Sequence, residues 1–150
     1  MELALPPDFK EFLRLLRAHG VEYLLIGGYA VSYHGYARAT QDLDVWVAIS
    51  PPNAERVVAA LREFGFGVSD LSPDLFLRER SVVRMGVPPM RVEVVTTISG
   101  VRFEQCYPER VTDILDGVEV TLIGLHHLKA NKRASGRHRD LDDLEHLPNA

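Results

Sequence analysis

An apolar segment with two aspartates at its head is the feature that most constrains the fold of this chain. Residues 42–49 read Asp-Leu-Asp-Val-Trp-Val-Ala-Ile, which predicts a buried β-strand. Side chains alternate along a strand, so Asp42 and Asp44 are expected to project from the same face. Neighbouring carboxylates repel each other unless a cation neutralises them, and Mg²⁺ prefers oxygen ligands. The pair therefore predicts a divalent metal site on one face of a sheet.

A third carboxylate, Glu93, lies within the alternating segment 91–96. Glutamate is depleted from strands and is rarely buried without a partner. If this strand lies beside the first, the three acids converge and can hold two Mg²⁺ ions about 3.5–4 Å apart, which clamp the oxygens of a phosphoryl displacement. Taken singly, Glu93 is equally explained as the partner of an arginine, and Asp42 and Asp44 as surface acids. Their combination favours catalysis.

The Gly27-Gly28 pair follows an apolar segment and precedes the acids. Glycine allows backbone to approach a ligand closely, and the following segment, 29–35, is expected to offer helix N–H groups to a triphosphate. A tight turn is the simpler alternative. Arg38 is expected either to steer phosphate or to brace the carboxylates. Thr40 is expected to hydrogen-bond the loop backbone or to touch the ligand, and we favour the backbone.

A basic segment stands out in a chain whose net charge is −4. That net charge argues against a protein that binds nucleic acid non-specifically along its length, which would be strongly basic. The basic side chains of this segment are Lys129, Lys132, Arg133, Arg137 and Arg139. A solvated helix face is the ordinary explanation for such a segment. Because a triphosphate needs cations, we predict instead that Lys132 and Arg137 contact phosphate.

Length and composition indicate a single domain, residues 1–150, with an ordinary globular core. The sequence contains no apolar run near 18 residues, which predicts that no segment crosses a membrane. Its start lacks the basic and apolar regions of a signal peptide. Its one cysteine, Cys106, permits no internal disulfide. We therefore expect a cytoplasmic protein.

Periodicity predicts an α/β chain with a mixed, partly antiparallel sheet and helices packed chiefly on one face. The predicted strands cover 22–26, 42–49, 81–87, 91–97 and 118–123. The predicted helices cover 8–18, a short stretch after Gly28, 53–64, 125–134 and 140–147, with a further helical turn at 72–73 and an ambiguous segment at 100–107. Asn53 is the expected N-cap of its helix, and Pro88-Pro89 the expected junction of a hairpin.

Two segments of the sequence resemble those of a known superfamily. Segments 24–31 and 38–44 resemble the nucleotidyltransferases that share the DNA polymerase beta palm. More narrowly, they resemble small bacterial abortive-infection (type IV toxin–antitoxin) nucleotidyltransferases. Those proteins carry a Gly-Gly turn, an Arg-x-Ser/Thr-x-Asp-x-Asp element, a later strand carboxylate, and a basic segment like 131–141. The resemblance runs from about residue 21 to 147, and Glu93 stands where aspartate is commoner.

The resemblance implies a palm-like fold and a magnesium-dependent nucleotidyltransferase, with two Mg²⁺ ions (Mn²⁺ is the substitute) and a nucleoside triphosphate such as ATP. A hydroxyl would attack the α-phosphate and release pyrophosphate. The implied setting is toxin–antitoxin or phage defence, with tRNA or protein as acceptor. Relatives with an extra helical domain use it to form the acceptor site. Here a second copy of the chain, a toxin or antitoxin partner, or the acceptor itself would form that side of the site. The alternatives are an antibiotic-type enzyme with a small-molecule acceptor and a non-catalytic module that binds nucleotide and partner.

Overall fold

The computed structural model describes residues 3–66, 70–86 and 91–149. Within these residues the strands are β1 Tyr23–Ile26, β2 Asp42–Val47, β3 Val82–Met85, β4 Arg91–Val95, β5 Val111–Leu115 and β6 Val118–Leu122. The α-helices are α1 Pro7–Ala18, α2 Gly27–Tyr33, α3 Pro51–Phe64, α4 Phe103–Cys106, α5 Leu125–Ser135 and α6 His138–His146. Two 3₁₀ helices cover Pro73–Phe76 and Tyr107–Glu109.

In the described part of the chain, the six strands form one sheet in the order β3-β4-β2-β1-β6-β5. The neighbours β1 and β2, β3 and β4, and β5 and β6 are antiparallel. The pairs β2–β4 and β1–β6 are parallel. Parallel neighbours require a long connection, and α3 lies in the one between β2 and β4. The predicted mixed sheet is therefore confirmed.

The main core lies between one face of this sheet and the two longest described helices, α1 and α3. From β2 it receives Leu43, Val45 and Val47, which alternate with the residues of the opposite face. That opposite face holds a smaller apolar cluster around Trp46, covered by α4, α5 and neighbouring segments. Strand alternation thus sends Asp42 and Asp44 to the less covered face.

The N-cap prediction for α3 is wrong. Ser50 is the N-cap, and its Oγ accepts from the backbone N–H of Asn53 at 3.3 Å. Asn53 is buried instead, where its side chain accepts from the Glu22 N–H at 2.7 Å and donates to the Ala48 carbonyl at 2.9 Å. Asn53 therefore ties α3 to the neighbouring ends of β1 and β2.

Strand β5, which lies at the edge of the sheet, was not predicted from the sequence. Its side chains are mostly exposed, and Ile114 is among the most exposed large apolar residues of the described chain. The predicted antiparallel hairpin of β3 and β4 is confirmed by their pairing. Its junction at Pro88-Pro89 lies outside the described residues.

Candidate active site

The three acids singled out in the sequence lie on one face of two adjacent strands. In the parallel pairing of β2 and β4, Asp44 is directly beside Glu93. Asp42 precedes Asp44 by two residues and therefore shares its face. Leu43, which lies between the two aspartates, and Val92, which precedes Glu93, enter the main core on the opposite face. The structure therefore brings Asp42, Asp44 and Glu93 together.

Asp44 and Glu93 interact directly. Burial raises the pKa of Asp44 to about 7, aided by a hydrogen bond to Glu93 and by the negative charges of Glu93 and Asp42. Burial also acts to raise the pKa of Glu93, but hydrogen bonds from Asp44 and Arg84 outweigh it and lower that pKa. Below about pH 7 the pair therefore holds a proton on Asp44 and a charge on Glu93.

Two arginines neutralise the remaining charge. The Nη2 of Arg91 donates to Asp42 Oδ2 at 3.2 Å, and the Nε of Arg84 donates to the Glu93 carboxylate. As the side chains stand, no three acids, histidines or cysteines of the described chain converge closely enough to hold a metal ion. Asp44 and Glu93 are instead hydrogen-bonded to each other, and Asp42 and Glu93 are each bound by an arginine.

The donor set nevertheless fits a hard divalent ion, because three carboxylates in register supply only oxygen ligands. Asp42, Asp44 and Glu93 are thus the residues that could hold Mg²⁺.

The two glycines after β1 allow close packing against this site. Gly27 has a φ of +69°, and a Cβ there would lie 2.2 Å from Asp44 Oδ2. A Cβ at Gly28 would lie 2.3 Å from Thr40 Oγ1. Only glycine fits at such distances, so the turn brings backbone against Asp44. Thr40 also donates to the backbone carbonyl of Asp42 at 3.4 Å, the interaction we favoured for it.

A second charged network joins α5 and α6 to the loop before β2. Arg38 donates through Nε and Nη2 to the two carboxylate oxygens of Asp143 at 2.7 and 2.9 Å. Lys132 Nζ lies 3.2 Å from an Asp140 oxygen and 3.1 Å from an Asp143 oxygen. Arg137 and Ser135 also donate to Asp140, each at 2.8 Å. Arg38 and the basic segment therefore share two aspartates.

Burial disfavours the charged form of both aspartates, but their donors prevail. Hydrogen bonds from Arg137, Ser135 and Lys132 lower the pKa of Asp140 to about 2. Arg38 and Lys132 lower the pKa of Asp143 in the same way. Neither aspartate was predicted from the sequence as a site residue. Their spacing of three residues, directly after a basic segment, is the signal that could have identified them.

The two cations predicted to contact phosphate differ in their surroundings. Lys132 is buried, with 6% of its surface exposed, and is not on a solvated helix face. Arg137 leaves 79% of its side chain exposed. The hydrogen bond to Asp140 raises the pKa of Arg137, and the charges of Asp44 and Glu93 raise it further. The charge of Lys132 in turn acts to lower the pKa of Asp44. Both cations therefore lie within electrostatic reach of the acids.

Comparison with solved structures identifies the architecture. The crystal structure of a putative nucleotidyltransferase from Thermotoga maritima matches 95% of this chain and 93% of its own, with a TM-score of 0.64 and 13% sequence identity. The chain has a nucleotidyltransferase-like fold. No protein-family profile and no curated protein matches the sequence. Among the described residues, the helices are all too short or too polar to cross a membrane.

Proposed function

We propose that this protein is a metal-dependent nucleotidyltransferase. The observation that carries the proposal is the register of β2 and β4, which puts Asp44 beside Glu93 with Asp42 on the same face. The nucleotidyltransferase-like fold supports it. Bound between these acids, Mg²⁺ supplies a Lewis acid that stabilises the charge on a triphosphate and lowers the pKa of an attacking hydroxyl.

The residues of the chain contribute the remaining chemistry. Asp42 and Asp44 would hold the ions. Glu93, whose pKa is lowered, is ionised at neutral pH and accepts the proton of the acceptor hydroxyl at a carboxylate oxygen. Arg137, which is exposed and cationic, contacts the phosphates. Lys132, which is paired with Asp140, adds its positive charge to the site. The backbone at Gly27 and Gly28 approaches the ligand beside Asp44.

The substrates we propose are a nucleoside triphosphate, with ATP as first candidate, and a hydroxyl on tRNA or protein. The resemblance to type IV toxin–antitoxin enzymes motivates this choice and the accompanying expectation of a cytoplasmic protein with a cognate partner. A small-molecule acceptor is the alternative within the same chemistry. The acids and cations are the same in either case, so the acceptor is decided by assay.

Calorimetry with each of the four nucleoside triphosphates tests the first step. We expect binding in Mg²⁺ that Asp42→Asn and Asp44→Asn both weaken, because each removes a charged oxygen ligand. Asp74→Asn is the control, since this exposed residue of the 3₁₀ helix changes the net charge equally. Equal affinity in Mg²⁺ and in chelator would exclude the proposal. Binding without pyrophosphate release, with tRNA and cell protein supplied as acceptors, would indicate a non-catalytic nucleotide-binding module.

A further inference from the structure

Two arginines occupy the row of acids through the register of the sheet itself. Arg91 on β4 is the cross-strand neighbour of Asp42, and Arg84 on β3 is the cross-strand neighbour of Glu93. Opposite charges directly across a strand pair attract each other. Two of the three acids therefore have a guanidinium partner that is placed by the backbone pairing.

The contact of Arg91 is weaker than a structural arginine pair in the same protein. Arg38 binds the fully buried Asp143 with two nitrogens, at 2.7 and 2.9 Å. Arg91 reaches the half-exposed Asp42 with one nitrogen at 3.2 Å, and each side chain is 34% exposed. Its Nε is buried and has no hydrogen-bond acceptor among the described residues. A buried N–H without a partner is unfavourable, so the Arg91 arrangement is only partly satisfied.

The contact of Arg84 is also exposed on the arginine side. Its side chain is 61% exposed, and it meets Glu93 through Nε. Exposed ion pairs contribute little to stability, because both groups are well solvated when apart. Neither arginine is therefore held as firmly as Arg38 is.

We infer that Arg84 and Arg91 are resident counterions that compete with divalent metal for the carboxylates, an inference that rests on the proposed function. Arg91 occupies Oδ2 of Asp42 and Arg84 occupies one carboxylate oxygen of Glu93, so a metal ion that takes either oxygen displaces an arginine from it. In the metal-free protein the arginines offset the repulsion within the row. In the metal-bound protein the arginines are released from these oxygens.

Binding of Mn²⁺ alone, measured by electron paramagnetic resonance without nucleotide, tests this inference. Removing a competing cation should strengthen metal binding, so we expect Arg91→Gln and Arg84→Gln each to raise Mn²⁺ affinity about fivefold or more. Arg91→Lys keeps the charge and should remain near the parent. Arg56→Gln, on the exposed side of α3, changes the net charge equally and should have no such effect.

The double substitution separates competition from a general electrostatic effect. If Arg91 acts through Asp42, Arg91→Gln should no longer raise Mn²⁺ affinity in an Asp42→Asn background. A merely structural role predicts the opposite of competition, namely a less stable protein whose metal affinity is unchanged or lower. Circular dichroism of each variant confirms that it is folded.

The outcomes distinguish this inference from the proposed function. Binding of Mn²⁺ that Asp44→Asn weakens, but that neither arginine variant strengthens, would overturn the inference and leave the function standing. Binding seen only when both arginines are replaced would support the inference. Absence of binding in the parent and in the variant lacking both arginines would overturn both.

Discussion

Replacement of Lys132 by methionine should destabilise the protein strongly, although lysine is ordinarily a surface residue. Lys132 lies between Asp140 and Asp143, which are 1% and 0% exposed. Removing one partner of a buried ion pair costs about 3–5 kcal/mol. Each aspartate keeps an arginine here, Arg137 or Arg38, so the lower figure applies. We expect a loss of about 3 kcal/mol in the free energy of unfolding at pH 7.

The pH dependence of this loss identifies its cause. Asp140 has its pKa lowered from 3.8 to about 2, so it contributes on the order of 2 kcal/mol of stability at neutral pH. A lowered pKa stabilises above the unfolded value near 4, and the contribution disappears as the pH falls toward 2. Without Lys132 the two aspartates are protonated more easily. The difference between parent and Lys132→Met should therefore shrink between pH 5 and pH 3.

Urea denaturation at pH 7, 5 and 3 measures these differences. Lys10→Met is the matched control, because Lys10 on α1 makes only a partly exposed contact with Asp116 at 3.6 Å. Its loss should change stability by less than about 1 kcal/mol. A deficit below about 1 kcal/mol for Lys132→Met, or one that is the same at pH 3 and pH 7, would refute the buried-pair reasoning.

Two further predictions concern the site. Asp44→Asn should stabilise the protein in chelator at pH 8 by on the order of 2–4 kcal/mol. The pKa of Asp44 is raised to about 7, so the parent protein loses stability as the pH rises from 4 through 7, and the asparagine variant does not. Denaturation at pH 5 should show a much smaller gain, and a less stable variant at pH 8 would contradict the pKa shift. Gly27→Ala should cost about 1–3 kcal/mol more than Gly20→Ala. Both glycines have a φ of +69°, but only at Gly27 would the Cβ meet Asp44, whose own Cβ would lie 3.0 Å away. Equal melting temperatures for the two variants would show that Asp44 moves aside freely.

The strands that carry the acids could be predicted because their side chains alternate between a filled core and an open face. Leu43 and Val45 on β2, and Val92 and Val94 on β4, are all buried on one side. That pattern alone put Asp42, Asp44 and Glu93 opposite the core. The parallel register between the strands could not be derived from periodicity, because it depends on how the α3 connection returns the chain.

Other features were missed either because their side chains show little apolar pattern or because their partners are distant in sequence. Edge strand β5 has little apolar alternation, since most of its side chains are exposed. Asn53 lies near the start of α3, which suggested that it was the N-cap. Its side chain instead donates to the backbone carbonyl of Glu22, 31 residues away. The role of Lys132 was predicted from the basic residues near it in sequence. Its buried partner Asp143 also accepts hydrogen bonds from Arg38, which lies 105 residues earlier. Local sequence does not report such pairings.

The register of β2 with β4 also has a consequence for the order of folding. The contact between Asp42 and Arg91 joins residues 49 positions apart, across a parallel pairing that forms only after α3 has been traversed. Such contacts form only after the intervening chain has lost its loop-closure entropy, so we expect them to form late in folding. In an incompletely folded chain Glu93 lies apart from Asp42 and Asp44, and the three-acid site is not formed. Any ligand that needs all three acids therefore binds only the finished sheet, and it stabilises the native state by an amount that grows with the ratio of its free concentration to its Kd.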